Sequence, residues 1–284
     1  MDLKLFENID TVYVTGHRNP DADSLVSSKI MCDILNDSGI NAVWTFFEGD
    51  IAGKGEKLLE DVLDPQPFIM SRECIGDKKF LLVDHNDVSQ SVGNVKNVIA
   101  AIDHHVKSGQ IENLFLSDYC CTALYIFMMF KDCYSFSQQQ KNQIFRAVLS
   151  DSVFGKSSRY KAKDGEALKV MGFEPDFEEY FKKYFVPTNL ADIPHIFGTN
   201  GFKSFRFATA QFVSTYIEAT DTKLLPEYKK FVENYNGSFL GIWIDYSVPK
   251  TYVYFKHNDK IHHFTYDCIA SRAATIMPYV VTLI

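Results

Sequence analysis

Three short stretches of the chain collect the residue types that bind divalent cations. The first, GHRNPDADS, places His17, Asp21 and Asp23 directly after an apolar segment. The second, DHND, begins at Asp84, and the third, DHH, begins at Asp103. One imidazole and two carboxylates on a short loop suit a cation of intermediate hardness. The first stretch therefore predicts a metal site, which the other two stretches must support.

The first stretch also has an ordinary structural interpretation. Asp23 or Ser24 could simply cap the helix that follows, because short polar side chains accept hydrogen bonds from the first amides of a helix. Pro20 keeps the segment from forming a regular helix, since proline has no N–H and restricts the residue before it. On this stretch alone, metal binding and capping remain equal alternatives.

The elements around these stretches predict an α/β fold. Apolar runs indicate strands over residues 12–14, 41–47, 79–83 and 95–102. Helical spacing of apolar residues indicates helices over 24–38, 54–63, 120–131, 137–149 (with Ser137 as cap), 164–171 and 176–184. Strands that alternate with helices predict a parallel sheet with crossover connections.

The alternation gives the metal interpretation its main support. Three predicted strands run directly into the three polar stretches, and the carboxyl ends of parallel strands lie on one edge of a sheet. Many carboxylates gathered on one edge are costly unless cations neutralise them. Asp151, which follows an apolar helix face, could reach the same edge. The sequence therefore predicts a metal centre at this edge without any family knowledge.

The C-terminal part of the chain predicts a second, smaller domain. The stretch FVPTNLADIP has two prolines and no clear period, and we interpret it as a linker over residues 186–194 between domains of residues 1–185 and 195–284. Strands are predicted within 203–218 and over 239–246, 252–256 and 261–266, with a helix over 223–235 and a turn over 257–260. His262 and His263 lie in a strand without nearby acidic clusters, so we predict that they are not ligands.

Composition narrows the classes of function. A net charge of −7 argues against binding a nucleic acid polymer. The six cysteines show no CxxC spacing, which is typical of reduced thiols in a cytoplasmic protein. The N-terminal residues have no basic region followed by an apolar run, so no signal peptide is predicted. The longest apolar run, Cys120 to Phe130, is too short to span a membrane.

Taken together, the motifs GHRNPDADS, LLVDHNDVSQS, IDHH and SDS resemble the DHH phosphoesterase superfamily, and most closely its family II, manganese-dependent inorganic pyrophosphatases. The resemblance covers essentially the whole chain. It implies two α/β domains, an N-terminal parallel-sheet DHH domain and a smaller, mixed-sheet DHHA2-like domain, with the active site in the cleft between them. It also implies a homodimer.

The resemblance assigns a role to each motif residue. It implies two Mn²⁺ or Co²⁺ ions that activate a water to hydrolyse pyrophosphate, and it allows Mg²⁺ to arrive with the substrate. Asp84 would bridge the ions, and Asp103 would orient the neighbouring loop. His105, Lys203 and Arg272 would contact the substrate phosphates. The implied metal ligands are His17, Asp21, Asp23, Asp84, His104 and Asp151.

One position departs from the family pattern and keeps other functions open. The family usually has a lysine directly after the arginine of its SRK motif, whereas this chain has Ala273 after Arg272. Either pyrophosphate is held more weakly, or the substrate is a short polyphosphate or a small nucleotide. A third alternative is a metal-dependent binder of phosphate compounds that has lost catalysis, although all six ligand positions are filled.

Overall fold

A computed structural model describes residues 1–51, 66–108, 110–184, 203–207, 210–219, 221–270 and 272–284. The chain divides into two compact units, which are considered separately. The first comprises residues 1–155 and 159–177, and the second comprises 156–158 and 178–284. The predicted helix over 54–63 and the predicted linker over 186–194 lie outside the described residues.

The first unit is built on a sheet of six parallel strands, as the alternating pattern predicted. The strands are β1 (Val12–Thr15), β2 (Ala42–Phe47), β3 (Phe68–Met70), β4 (Lys79–Val83), β5 (Val98–Asp103) and β6 (Leu114–Leu116), in the order β3-β2-β1-β4-β5-β6. The sequences AVWTFF, KFLLV and VIAAID are largely buried, which is typical of strands covered on both faces. The strand order reverses between β1 and β4, where ligands bind in such sheets.

In the described part of the first unit, four helices accompany this sheet. They are α1 (Ala22–Asp37), α2 (Thr122–Phe130), α3 (Gln138–Asp151) and α4 (Ala162–Met171). The predicted cap of α3 is confirmed, because Ser137 and Gln140 form a reciprocal capping box. The N-terminal cap of α1 differs from the prediction. It is Asp21, which accepts a hydrogen bond from the Ser24 amide, and not Asp23 or Ser24.

The strand predicted over 95–102 begins three residues later than expected. Asn94 Oδ1 accepts a hydrogen bond from the Lys96 amide, and this local bond stabilises a turn over Val95–Asn97. The two edge strands β3 and β6 were not predicted at all. Each has three residues, which is too short for a period of two to be recognised.

The second unit has a mixed five-stranded sheet. Its strands are β7 (Lys203–Phe207), β8 (Ala210–Ala219), β9 (Phe239–Asp245), β10 (Lys250–His257) and β11 (Lys260–Tyr266), in the order β11-β10-β9-β8-β7. Only β8 and β9 pair in parallel among these strands, and helix α6 (Leu225–Asn234) connects them. Tyr228 and Val232 of α6 pack on Phe239 and Trp243. A mixed sheet was predicted for this part of the chain.

Two further helices belong to the C-terminal part of the chain, α5 (Phe177–Tyr184) and α7 (Met277–Val280), with a π-helical turn over Arg272–Ile276 before α7. The predicted turn between β10 and β11 is confirmed by positive φ angles at Asn258 and Asp259. Across the described parts of the chain, no helix has both the length and the apolar character needed to cross a bilayer.

Candidate metal centre

The loop after β1 presents His17 and Asp21 from a tightly held backbone. A side chain at Gly16 would overlap Ser24 Oγ, so only glycine allows this close approach. Ser24 Oγ accepts a hydrogen bond from the His17 amide at 2.9 Å. His17 Nδ1 lies 2.9 Å from the Arg18 carbonyl oxygen, so Nδ1 carries the proton that it donates. His17 Nε2 is then left as the atom that faces the carboxylates of the site.

A buried aspartate holds this loop from the side of β2. The Asp50 carbonyl oxygen accepts a hydrogen bond from the Asn19 amide, and its carboxylate pairs with both Arg18 and Arg72. The Arg18 amide donates to the Gln90 carbonyl oxygen at 2.7 Å. The loop is therefore fixed to the segments that follow β2 and β4.

Asp84 lies directly after β4 with its two carboxylate oxygens facing different histidines. Oδ2 lies 3.4 Å from His17 Nε2, and Oδ1 lies 3.4 Å from His104 Nε2. Oδ1 also accepts a hydrogen bond from Thr122 Oγ1 at 3.0 Å. The residue is 1% exposed and has a φ of 63°, a left-handed conformation that Asp and Asn tolerate better than most residues. This placement suits a carboxylate shared by two cations.

Asp103 orients the DHH stretch after β5, as the resemblance implied. Its Oδ1 accepts hydrogen bonds from the amides of His104 and His105 and from His105 Nδ1 at 2.8 Å. Its Oδ2 accepts from Asn86 Nδ2 at 2.6 Å. Because His105 Nδ1 is occupied by Asp103, this histidine is left with Nε2 for a substrate and is a poor candidate for a metal ligand through Nδ1. Its side chain is 34% exposed.

The N-terminus of helix α2 holds the carboxylate of Asp23. The amides of Thr122 and Ala123 donate to its two oxygens at 2.7 and 2.8 Å. Asp23 is fully buried, so these two bonds and the helix dipole provide the stabilisation that water cannot. The same helix end, through the Thr122 hydroxyl, also contacts Asp84. Helix α2 therefore positions two of the predicted ligands at once.

The structure brings the six predicted metal ligands together at the carboxyl edge of the sheet. His17, Asp21 and Asp84 offer atoms that all lie within 4.8 Å of one another. Asp23, His104 and Asp151 form a second group with the same spacing. Asp84 Oδ1 contacts the histidine of the second group, so the two groups adjoin through this carboxylate.

The protonation of His104 shows that the cluster fits a cation. Its Nδ1 lies 3.2 Å from the Tyr119 carbonyl oxygen and is therefore the protonated nitrogen. Its buried Nε2 has no hydrogen-bond partner among the described residues, although it lies 3.3 Å from Asp151 Oδ2 and 3.4 Å from Asp84 Oδ1. A nitrogen lone pair that faces two carboxyl groups is satisfied by a positive charge between them, either a proton shared with a carboxyl or a metal ion. A divalent cation with mixed N and O ligands satisfies this arrangement.

The pKa values of the cluster diverge because its charges are buried together. Burial and the charges of Asp84 and Asp151 raise the pKa of Asp23 well above its usual value. Burial raises the pKa of Asp151 in the same direction. Although burial opposes it, contact with His104 and His17 holds the pKa of Asp84 well below its usual value. Without cations, the cluster therefore cannot keep all of its carboxyls ionised at once.

The pKa values of the histidines in the cluster also shift in opposite directions. Burial lowers the pKa of His104, which keeps its ring neutral as a ligand requires. Despite burial, the carboxyls of Asp21 and Asp84 raise the pKa of His17 well above its usual value. The carboxyls of Asp103 and Asp84 likewise overcome burial and raise the pKa of His105. A proton on His17 can thus occupy the position of a cation in the metal-free protein.

For His85, the sequence left a structural role and a position near the substrate open, and the contacts of its ring support the structural role. Its Nδ1 lies 3.0 Å from the Val83 carbonyl oxygen and its Nε2 lies 2.6 Å from Ser91 Oγ. Burial lowers the pKa of His85 to about 4, so the ring is neutral. The predicted substrate residues Lys203 and Arg272 lie in the second unit, at the start of β7 and of the π-helical turn. Their contact with phosphate stays a prediction.

Several residues that shape the cluster were missed by the sequence reasoning. Thr122 and the other residues at the N-terminus of α2 belong to none of the motifs. Only their contacts with the carboxylates of Asp23 and Asp84 identify them. Arg159, whose Nη1 lies 3.9 Å from Asp151 Oδ2, was also missed. Asn86 belongs to one of the motifs, but its bonds to Asp103 and to the Val106 carbonyl oxygen could not be foreseen.

Comparison with known proteins connects these motifs with one family. A model of the DHH family, N-terminal domain, matches residues 11–151, which include all three strand-end stretches and Asp151. The manganese-dependent inorganic pyrophosphatase of Methanothrix thermoacetophila is 30% identical over 178 residues, which are 58% of this chain and 56% of the relative. A probable manganese-dependent inorganic pyrophosphatase of Clostridium acetobutylicum is 26% identical over 234 residues, 78% of this chain and 74% of the relative. The chain thus spans little more than half the length of the first of these relatives.

A solved structure has a similar fold over most of the chain. It is the crystal structure of a Methanococcus jannaschii protein provisionally assigned to the family II inorganic pyrophosphatases. The match has a TM-score of 0.68 at 21% identity and covers 94% of this chain and 97% of the other. The shared architecture of a parallel-sheet unit followed by a mixed-sheet unit agrees with the predicted fold class.

Proposed function

This chain belongs to the DHH family and is similar to its manganese-dependent inorganic pyrophosphatases, and from that premise we propose that it hydrolyses inorganic pyrophosphate to two phosphates at a centre of two divalent cations. The observation that carries the proposal is the buried Nε2 of His104, which faces the carboxylates of Asp84 and Asp151 without a hydrogen-bond partner in the described part of the chain. This arrangement of a nitrogen lone pair and two carboxylates suits a bound divalent cation.

The ligands divide between two cations. His17 and Asp21 would hold one ion, and Asp23, His104 and Asp151 would hold the other, with Asp84 as a ligand to both; the two groups of ligand atoms that lie within 4.8 Å of one another support this division. The histidine nitrogens favour Mn²⁺ or Co²⁺ over Mg²⁺ at these positions, whereas Mg²⁺ can accompany the substrate because it binds phosphates with its water shell. When bound, two such cations supply an activated water and a clamp for the phosphoryl oxygens.

The protein supplies the orientation of these ligands and the contacts to phosphate. The carbonyl oxygens of Arg18 and Tyr119 fix the ring nitrogens of His17 and His104 so that each presents Nε2 to the centre. His105 is held by Asp103, and its raised pKa favours a protonated ring that can donate Nε2–H to a phosphate oxygen. We assign the second contact with phosphate to Lys203 and Arg272, whose charges would stabilise the leaving group.

A second candidate substrate follows from Ala273. The lysine that the family usually has at this position would hold a terminal phosphate. With alanine in its place, pyrophosphate would be bound more weakly, and there would be room for a longer substrate. Hydrolysis of a short polyphosphate or a small nucleotide is therefore the alternative. A homodimer and a cytoplasmic location complete the proposal as predictions from the resemblance and from the cysteine usage.

Phosphate release from pyrophosphate, tripolyphosphate and a dinucleotide tests the proposal, each with Mn²⁺ and with Mg²⁺. We expect pyrophosphate to be hydrolysed most efficiently, and with Mn²⁺ at the protein sites. The variant Asp84→Asn should be inactive, whereas the matched control Asp118→Asn, which changes an exposed aspartate paired with Lys161 and Lys163, should not differ from the wild type. Faster hydrolysis of tripolyphosphate or of the dinucleotide would favour the alternative, and no release from any substrate would contradict the proposal.

A further inference from the structure

Asp151 occupies a position that an isolated helix disfavours. It is the last residue of α3, whose final turn contains no basic residue. The C-terminus of a helix carries a partial negative charge, so a carboxylate there is destabilised and a cation is preferred. Burial of Asp151 adds to this cost. A positive charge beside Asp151 therefore favours its ionised form, and the proposed metal ion is one such charge.

The chain after α3 reverses in a strained turn. Val153, Phe154 and Gly155 have φ angles of 49°, 53° and 72°, three successive residues in the left-handed region. For a β-branched valine this conformation is an outlier that destabilises the turn. The turn is held by bonds from the Phe154 amide to the Leu149 carbonyl oxygen and from the Gly155 amide to Ser152 Oγ. Strained backbone of this kind is typical of functional sites.

The reversal returns the chain to the carboxylate from which it departed. Arg159 Nη1 lies 3.9 Å from Asp151 Oδ2, and the arginine side chain is 17% exposed. This distance is too long for a hydrogen bond, so the contact between the two side chains is ionic. The same Asp151 oxygen lies 3.3 Å from His104 Nε2, which places the arginine at the edge of the second group of ligands.

The positive charge of Arg159 is unfavourable at this place if the centre binds only metal ions. The charge of Arg159 repels a divalent ion bound by Asp151 and lowers its affinity. It is favourable if the centre also binds an anion, because a guanidinium recognises phosphate oxygens through two parallel hydrogen bonds. We propose that Arg159 is a substrate-binding residue of this centre, whose guanidinium donates hydrogen bonds to a phosphate group held beside the cations.

This inference deepens the proposed function and rests on it. If Asp151 binds a metal ion, that ion neutralises most of the carboxylate charge. The Arg159 guanidinium beside Asp151 can then bind another anion, the phosphate group of the substrate. The competing explanation is that Arg159 only neutralises Asp151 and keeps it in place. The two explanations differ in their consequences, because a neutralising arginine affects metal binding whereas a substrate-binding arginine affects the affinity for phosphate compounds.

The test compares the wild type with Arg159→Met and Arg159→Lys. The matched control is Arg146→Met, which removes the same charge from an exposed position of α3. Three quantities are measured: kcat and KM for pyrophosphate at saturating Mn²⁺, the affinity for Mn²⁺ without substrate, and the affinity of the Mn²⁺-loaded protein for imidodiphosphate. Thermal unfolding confirms that each variant folds, and Arg159→Gln replaces the methionine variant if that variant does not fold.

We expect Arg159→Met to raise KM and to weaken imidodiphosphate binding by about ten- to a hundredfold, which corresponds to the loss of a charge-assisted hydrogen bond. Its affinity for Mn²⁺ should be equal to or higher than that of the wild type. Arg159→Lys should recover part of the loss, since it keeps the charge without the planar fork, and Arg146→Met should behave as the wild type.

Two results would overturn the inference: unchanged imidodiphosphate affinity in the methionine variant, or a weaker affinity for Mn²⁺ that accounts for the loss of activity. A wild type that does not hydrolyse pyrophosphate would contradict the proposed function but not this inference, because imidodiphosphate binding still compares the variants. Equal binding by both proteins would then reject Arg159 as a phosphate ligand.

Discussion

The shared position of Asp84 predicts that its loss removes both cations. The variant Asp84→Asn is preferable to alanine, because asparagine tolerates the φ of 63° at this residue and keeps an acceptor for the Thr122 hydroxyl. It removes the negative charge and replaces one carboxylate oxygen with an amide nitrogen of nearly the same size. The comparison is with His17→Asn, which changes a residue of one group of ligands.

The expected magnitude follows from the linkage between binding and stability. A cation present at about 100 times its dissociation constant stabilises the folded protein by about 2.7 kcal/mol, so two sites contribute about 5 kcal/mol. Asp84→Asn should lose nearly all of this stabilisation and His17→Asn about half. For a unit of this size, the complete loss corresponds to a decrease of about 10–20 °C in Tm.

The assay must report on the unit that carries the cluster. The chain has two tryptophans, Trp44 in β2 of the first unit and Trp243 in β9 of the second. In a Trp243→Phe background, fluorescence follows the unfolding of the first unit alone. Thermal unfolding with and without Mn²⁺, together with metal counting on the purified variants, gives both the stabilisation and the stoichiometry.

Two outcomes would refute the reasoning. If Asp84→Asn retained two ions and the full increase in Tm with Mn²⁺, the carboxylate could not be the shared ligand. If His17→Asn lost as much stabilisation as Asp84→Asn, the two groups would form a single site. Asp118→Asn serves as the control for the change from carboxylate to amide and should respond to Mn²⁺ as the wild type does.

Three further predictions concern pH, helix α2 and the departure from the family pattern. As the pH rises above the ordinary histidine pKa of about 6.5, the metal-free protein should lose stability, since the raised pKa values of His17 and Asp23 mean that the folded state binds more protons than the unfolded state. Urea unfolding at several pH values measures the decline, which saturating Mn²⁺ should abolish. Thr122→Val should weaken Mn²⁺ binding by about ten- to a hundredfold, because Asp84 loses a buried hydrogen bond. Calorimetric titration with Mn²⁺ measures this affinity, and the control variant Thr122→Ser, which keeps the hydroxyl, should have nearly the affinity of the wild type. Ala273→Lys should increase kcat/KM for pyrophosphate by about tenfold through a charge-assisted contact with the distal phosphate; no gain, together with loss of activity on tripolyphosphate, would favour the longer substrate.

The parts of the fold that could be predicted are those in which many neighbouring residues give the same signal. The buried runs of β2, β4 and β5 are apolar over several residues, so the parallel sheet and its polar carboxyl edge could be inferred from the chain alone. Strands β3 and β6 could not, because three residues carry too little pattern. The late start of β5 also escaped prediction, since one side-chain bond from Asn94 outweighs the strand propensity of Val95.

The residues of the candidate site likewise fall into those that could be predicted from the sequence and those that could not. Residues that could provide ligand atoms have distinctive types and spacing, which is why the amino-acid sequence alone points to His17, Asp84 and the other predicted ligands. Residues that position them are ordinary in type and remote in sequence. Thr122 is separated from Asp84 by 38 residues, and the two amides that hold Asp23 lie about 100 residues away. Only the folded chain shows that helix α2 begins at the carboxylates.

Three positions that violate local preferences lie together at this cluster. Asp84 has a left-handed backbone, Asp151 ends a helix at its negative pole, and His104 buries a nitrogen without a hydrogen-bond partner in the described part of the chain. Each of these features destabilises the metal-free chain, and a cation at the cluster relieves those that arise from charge. Because sequences are otherwise locally consistent with their folds, such a concentration of conflicts is expected where function opposes stability. The gain in stability on adding Mn²⁺ should therefore exceed the gain on adding Mg²⁺, because Mg²⁺ prefers oxygen ligands and binds the two histidine nitrogens only weakly.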